Sequence, residues 1–193
     1  MRQPPPSAPR RRLLGGIAAS PLLALPAALT AAPATPECSA PAAVTAAQAA
    51  GPFVRDELPW RRNLRAEDER TPILQLRGTL RDRDCQPLRE AVISLWHAGP
   101  DGRYDLHGGR YYGRQRSEDG QYAFLTTLPG VYPARVRHLH VQISTAEGRL
   151  LLTTQLYFPD EPDNARDGLF QPALLMQTAP TATGWLAAYD FVV

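Results

Sequence analysis

From residue 71 onward the chain is a succession of short apolar or alternating segments set between turn signals, with no ten-residue helical period among them. The segments are Ile73–Leu80, Ala91–His97, Gln121–Thr127, Val136–Thr145, Arg149–Phe158 and Trp185–Val193. Asp84-Cys85-Gln86-Pro87, Gly99-Pro100-Asp101-Gly102, Asp119-Gly120, Pro129-Gly130 and Glu147-Gly148 separate them. Glycine, proline and aspartate at these places favour tight reversals, so the pattern predicts an all-β fold over residues 71–193, a β-sandwich of mostly antiparallel strands. Residues 33–70 are Ala/Pro-rich and then charged, and read as an extended N-terminal arm packed over that domain. Asp160 to Asp167 is acidic and turn-like and reads as a solvated loop. At 193 residues the chain holds one domain with a proper core rather than two.

The first 32 residues read as an export signal. Arg10, Arg11 and Arg12 precede a mildly apolar run from Leu13 to about Leu29, which ends in small residues around Thr30, Ala31 and Ala32. Arginines followed directly by Leu13 and Leu14, with Gly15, Gly16, Pro21 and Pro26 thinning the apolar run, resemble a twin-arginine signal. The same prolines make a poor membrane anchor, so the expectation is an exported, periplasmic or extracellular protein with no stable span after signal removal. The net charge is only +2 with part of the excess in that signal, which argues against a nucleic-acid partner. In an oxidising compartment the isolated pair Cys38 and Cys85 reads as one disulfide, tying the arm to the domain for on the order of 3–4 kcal/mol. A metal pair is the rival reading, but no third soft ligand lies nearby.

The segment Arg135-Val136-Arg137-His138-Leu139-His140-Val141-Gln142-Ile143 carries the most chemistry. On a strand Leu139, Val141 and Ile143 face one way, while His138 and His140 face the other and can reach one metal together. Taken alone, such a pair reads equally as two histidines on a polar face. Tyr132 follows the turn Pro129-Gly130, six residues ahead of His138, and Tyr104 follows the turn Gly99-Pro100-Asp101-Gly102. A phenol ligates only when a strong Lewis acid displaces its proton, and phenolate with imidazole suits ferric iron better than zinc or calcium.

Read together, these strings resemble the intradiol ring-cleavage dioxygenases, and most of all their protocatechuate 3,4-dioxygenase side. The strings are Gly51-Pro52-Phe53, Asp82-x-x-Cys85-x-Pro87-Leu88-x-x-Ala91-x-Ile93-x-Leu95-Trp96, Gly102-x-Tyr104 and Asp119-Gly120-x-Tyr122-x-Phe124-x-Thr126-x-x-Pro129-Gly130-x-Tyr132. Arg135-x-x-His138-x-His140 and Thr154-Gln155-Leu156-Tyr157-Phe158 complete the set, which runs in the family's order from Gly51 to Phe158. The resemblance implies Tyr104, Tyr132, His138 and His140 as ligands of one Fe(III), Arg135 beside the substrate, and Gln155 behind it. It implies a catechol-type substrate and O2, with Tyr132 leaving the metal to accept a substrate proton, and a cis,cis-muconate-type diacid as product. His97 and His107 match nothing catalytic and read as turn or surface positions, while Tyr122 and Tyr157 read as packing.

Two features depart from the family pattern. The stretch from Tyr132 to His138 is shorter than in the protocatechuate enzymes, which implies a more open pocket. The helical region by which catechol 1,2-dioxygenases dimerise has no counterpart in these residues, so their assembly is not carried over and the oligomeric state stays open. Rival readings are an exported, catalytically inactive sandwich module binding an aromatic or carbohydrate ligand, a copper or zinc enzyme using His138 and His140, and a domain whose Tyr and His residues pack an interface.

Overall fold

The computed structural model describes Met1, residues 38 and 39, and residues 41–193. Apart from Met1, the segment expected to be an export signal lies outside the described residues, as do residues 33–37 of the arm. The described residues form nine strands: β1 (Ile73–Arg81), β2 (Val92–Trp96), β3 (Tyr112–Arg116), β4 (Gln121–Thr127), β5 (His138–Ser144), β6 (Leu150–Tyr157), β7 (Gln177–Thr181), β8 (Gly184–Ala188) and β9 (Phe191–Val192). One sheet runs β3-β2-β5-β6 and is antiparallel throughout. The other runs β4-β1-β8-β7, with β9 also on β1; β8 and β9 pair with β1 in parallel and the remaining pairs are antiparallel. This is the mostly antiparallel all-β sandwich that the turn-bounded segments predict. Among the described residues the helical pieces are two 3-10 turns, Asn164–Arg166 and Pro172–Leu174. No helix there is long and apolar enough to cross a membrane.

The core lies between the inner faces of the two sheets. Leu74, Leu76 and Leu80 of β1 and Phe124 of β4 meet Ile93 and Leu95 of β2, Leu139, Val141 and Ile143 of β5, and Leu156 of β6. Each such side chain contributes roughly 1.5–3 kcal/mol by leaving water. Because strand side chains alternate, the register that buries Leu139, Val141 and Ile143 turns His138 and His140 to the outer face of the same sheet.

Three strand expectations change. β3 is Tyr-Gly-Arg-Gln-Arg, too polar to signal a strand, and pairs along β2 from Val92↔Arg116 to Trp96↔Tyr112. β7 contains Pro180, tolerated because β7 lies at the end of its sheet's strand order. The stretch Trp185–Val193 is two strands rather than one, for the carbonyl of Tyr189 interrupts it. That oxygen stands 1.8 Å from where a Cβ on Gly78 would be, so β1 can pass only as glycine. The broken ladder is patched by Tyr189 N–H donating to Arg77 O at 3.1 Å and Thr79 N–H donating to Asp190 Oδ1 at 2.7 Å.

Residues 41–70 form no helix or extended strand but borrow sheet edges for their backbone hydrogen bonds. Gln48 N–H donates to Thr153 O at 2.8 Å along β6, Arg61 N–H to Arg114 O at 3.0 Å along β3, and Leu64 N–H to Leu125 O at 2.8 Å along β4. Cys38 is bonded to Cys85, with Cα atoms 5.8 Å apart.

His97 is not a turn or surface residue: it is fully buried. Its ring nitrogens lie 2.7 Å from Ala98 O and 2.7 Å from Thr126 Oγ1, so the side chain spans from β2 to β4. Burial lowers its pKa to about 4 from an ordinary 6.5. The unfolded chain therefore takes up this proton first as pH falls, and stability present above about 6.5 is lost toward 4. The wild type should lose roughly 3 kcal/mol more than His97→Gln between pH 7 and 4, read from urea unfolding. Equal losses in the two proteins would contradict this account of His97.

Candidate active site

Cross-strand register sets out the floor of the site. Tyr112 of β3, Trp96 of β2, His140 of β5 and Gln155 of β6 are successive partners across the outer face, and His138 pairs with Tyr157. All of these side chains are buried. The arm covers them: Leu58 packs with Trp96 and Tyr112, the Tyr112 hydroxyl donates to Phe53 O at 3.0 Å, and Gln155 Nε2 donates to Ala49 O at 3.0 Å. Gly51 sits edge-on to His140, with a Cβ there only 3.1 Å from its ring. β2 reads Val-Ile-Ser-Leu-Trp, nearly continuous rather than alternating, because core and arm cover its two faces.

On this face three side-chain heteroatoms converge. His140 Nε2 lies 3.0 Å from the Tyr104 hydroxyl and 3.1 Å from His138 Nε2, and the Tyr104 hydroxyl is 3.5 Å from His138 Nε2. The His138 Nδ1–H donates to Val136 O at 2.7 Å, which leaves its Nε2 as a lone pair facing the cluster. Trp96 stacks on His140, ring centroids 5.1 Å apart and planes 5° from parallel. Tyr132 joins by its ring: it meets Tyr104 edge to face at 5.7 Å and Phe53 at 5.4 Å, while Phe53 stacks on Tyr104 at 4.2 Å. Among the described residues the Tyr132 hydroxyl makes no hydrogen bond to the three converging atoms.

Two glycines hold the tyrosine-bearing turns together. Gly130 N–H donates to Gly99 O at 2.9 Å, and Gly102 N–H to the same carbonyl at 2.9 Å. Gly102 has φ +76°, and a Cβ on it would fall 2.2 Å from Val131 O; one on Gly130 would fall 2.4 Å from Pro100 O. The segments leading to Tyr104 and Tyr132 thus touch backbone to backbone. Beyond Tyr132 the chain turns at Pro133-Ala134, where Arg135 N–H donates to Tyr132 O at 2.9 Å and Ala134 has φ 64°.

Burial is the main cause of the electrostatics. It lowers the pKa of His138 to about 4, and that of His140 to about 2 with help from His138 and Arg135, so both imidazoles are neutral. It raises the Tyr104 phenol above its ordinary value. His140 Nδ1 is buried without a hydrogen-bond partner among the described residues. With its proton on Nδ1 the ring has an unpaired N–H, and with the proton on Nε2 it has an unpaired lone pair, so the protein alone satisfies neither tautomer. A cation bound at the two Nε2 atoms and the phenol oxygen would take the facing lone pairs and displace the phenol proton. Among the described residues no three His, Cys, Asp or Glu side chains gather as a metal site. A metal here therefore draws on phenol oxygen, and that donor set fits a hard, highly charged ion.

Arg135 and Gln155 are joined: Arg135 Nη2 donates to Gln155 Oε1 at 2.6 Å and to the Tyr157 hydroxyl at 3.3 Å. Their anchor is Asp167, whose two oxygens take Arg135 Nε–H at 3.0 and 2.8 Å, Leu169 N–H at 2.9 Å and Val136 N–H at 3.0 Å. Burial pushes the Asp167 carboxyl up, but the hydrogen bonds from Leu169, Arg135 and Val136 outweigh it and leave it below the ordinary range. The loop from Asp160 to Asp167 is therefore more than a solvated acidic turn. Asp167 and Asn164 are buried, and Asn164 Nδ2 donates to Phe158 O at 2.8 Å. Tyr157, read as packing, also touches the arginine, and its hydroxyl lies 2.9 Å from Gln48 Oε1 of the arm. The acidic run around Asp167 carries no signal of its partner, which lies 32 residues earlier. Arg135 also borders an open depression with Val131, Ala134, Glu161 and Arg166. His107 is exposed and takes no part.

The family model described as Dioxygenase matches residues 51–190. The chain is 38% identical to the dioxygenase domain of a dioxygenase carbohydrate-binding protein fusion from the cellulolytic bacterium Streptomyces sp. SirexAA-E. That match has a TM-score of 0.75 and covers 78% of this chain and 98% of that one. It is 32% identical over 112 residues to the protocatechuate 3,4-dioxygenase beta chain of Burkholderia cepacia, across 49% of this chain and 48% of the relative. It is 30% identical over 153 residues to the chlorocatechol 1,2-dioxygenase of Pseudomonas sp. strain P51, across 66% of this chain and 61% of the relative. The chain thus spans about half to three fifths of the length of these curated relatives.

Gly102→Ala combines a left-handed backbone with a carbonyl clash and should lower stability by roughly 2–3 kcal/mol in urea unfolding, well beyond an ordinary surface change. A loss within about 0.5 kcal/mol would show that the two turns are not locked together.

Proposed function

The chain belongs to the intradiol ring-cleavage dioxygenase family, and from that membership we propose that it opens a catechol-type ring between its two hydroxyl-bearing carbons. Both atoms of O2 enter the product, a cis,cis-muconate-type diacid. The observation that carries this reading is the convergence of the Tyr104 hydroxyl with Nε2 of His138 and of His140 on the buried outer face of β5. Tyr132, one turn away and already against the Tyr104 ring, is the fourth residue we assign to a ferric iron. The close approach of three facing heteroatoms, with the His138 Nε2 lone pair aimed among them, supports that assignment.

A ferric ion so held would take the catechol as a chelating dianion and render its ring open to attack by dioxygen. The residues of the chain do the rest. Tyr132 accepts one of the catechol's protons on its phenolic oxygen as the substrate binds, and the other is taken by hydroxide, which leaves as water. Tyr104 remains in place, clasped by Phe53, and His138 is held in orientation by its hydrogen bond to Val136 O. Arg135 has its Nε and Nη2 edges occupied by Asp167, Gln155 and Tyr157, and among the described residues nothing accepts from Nη1. That free edge is the one we assign to negative charge developing on the substrate, a preorganised electrostatic role. Gln155 holds the arginine from behind and is itself held by Ala49 O. The arm covers the polar sheet face and keeps bulk water from these groups.

We also propose that the protein is exported to the periplasm or beyond. The arginine-led apolar segment in residues 1–32 and the bonded pair Cys38–Cys85 support this.

The test is the visible absorption of the purified protein before and after anaerobic addition of a catechol. A tyrosinate-to-ferric charge-transfer band should be present, shift to longer wavelength on addition, and be lost or strongly altered in Tyr104→Phe. A protein that stays colourless after reconstitution with iron would contradict the reading and favour an inactive module that binds an aromatic or carbohydrate ligand.

A further inference from the structure

Asp167 makes more hydrogen bonds than a carboxylate needs for pairing one arginine, and it makes them where both halves of the site meet. Its side chain is 1% exposed, against 18% for Arg135. Both oxygens accept from Arg135 Nε–H, at 3.0 and 2.8 Å. Oδ2 also accepts from Val136 N–H at 3.0 Å, and the carbonyl of Val136 accepts the Nδ1–H of His138 at 2.7 Å. Oδ1 accepts Leu169 N–H at 2.9 Å, which fixes the carboxylate to its own loop. That loop is secured in turn by Asn164 Nδ2 on Phe158 O and by the ion pair of Arg137 with Glu161. Arg137 also donates from Nε to Pro129 O at 3.0 Å, in the turn that leads to Tyr132.

The chemistry of this arrangement is directional. A guanidinium has five donors in a rigid plane, and fixing its Nε edge decides where the remaining ones aim. With Asp167 on Nε and with Gln155 and Tyr157 on Nη2, rotation about the last side-chain bonds is blocked and Nη1 is left over. The arginine borders the open depression with Val131, Ala134, Glu161 and Arg166. Gln155 alone could not block that rotation, since it meets only one nitrogen of the fork.

We propose that Asp167 is a positioning residue for the reaction: it holds Arg135 with Nη1 free for the substrate. This rests on the dioxygenase reading for what Arg135 does, but not for whether Asp167 holds it. Asp167 touches no reacting atom and acts through Arg135.

Two measurements separate those statements. In the iron-free full chain, the Arg135 Nε–H should give a downfield proton resonance protected from solvent exchange, and Asp167→Asn should remove that protection. In the iron-loaded enzyme, Asp167→Asn should keep the iron content and the resting visible band while kcat/KM for catechol falls by ~10–100-fold, mostly in kcat. In an Arg135→Ala background the same substitution should cost under ~2-fold, because the group that Asp167 positions is already gone. Protection retained in Asp167→Asn, or an equal loss of kcat/KM in both backgrounds, would overturn the proposal. If Asp167→Asn fails to fold, Asp167→Glu, which keeps the charge and displaces it, supplies the same comparison with the same two outcomes. Loss of the resonance in a protein that never binds iron would leave Asp167 as the holder of Arg135 and count against the dioxygenase reading alone.

Discussion

Strand β5 carries core residues on one face and two imidazoles on the other, and the two-residue repeat of a strand ties those sets together. The register that seats Leu139, Val141 and Ile143 against β1 and β4 cannot change without turning His138 and His140 into the core. The outer face of that sheet is therefore obliged to be polar, and it is also buried, because Trp96, Tyr112, Gln155 and Tyr157 surround the histidines and the arm lies over them. A polar face without water must satisfy itself or bind something that satisfies it. Most of this one is satisfied: Gln155, Tyr157, Arg135 and Asp167 close a hydrogen-bonded ring of contacts with the arm and the loop after β6. Among the described residues, Trp96 Nε1 and His140 Nδ1 are left without partners there, beside the place where Tyr104, His138 and His140 face one another.

The same burial sets what that place can accept. It keeps both imidazoles neutral, which preserves their lone pairs, and it opposes ionisation of the Tyr104 phenol. A weakly charged ion would leave the phenol protonated; a hard ion of high charge can displace its proton. The glycine contacts between the turns at Gly102 and Gly130 bring Tyr132 beside Tyr104, so the phenols come from two loops fixed to each other rather than from two independent ones. Rigidity of this kind places ligand groups more accurately than free loops would.

Much of this was legible in the chain itself, for reasons that lie in particular residues. The alternation His-Leu-His-Val-Gln-Ile declares both faces of β5, and Pro129-Gly130 and Gly99-Pro100-Asp101-Gly102 declare the turns before the two tyrosines. Other parts were hidden because their meaning depends on distant partners. His97 is a buried strut between β2 and β4, bonded to Thr126 across 29 positions of sequence. Asp167 lies in an acidic run that looks solvated until it meets Arg135, 32 positions away. β3 was masked by its arginines, which point away from the core, and β7 by a proline that the end of a sheet tolerates. Local pattern reports which face a side chain takes, but not which loop returns to cover it.

The central claim is that these residues serve insertion of dioxygen between the hydroxyl-bearing carbons of a catechol. The most direct measurement is a single turnover of the iron-loaded protein with catechol under isotopically heavy dioxygen, followed by mass analysis of the product. The account predicts a ring-opened diacid carrying both heavy atoms, with the ring split between the original hydroxyls. A product with no heavy oxygen, cleavage beside rather than between the hydroxyls, or recovery of intact catechol from iron-replete protein would contradict it.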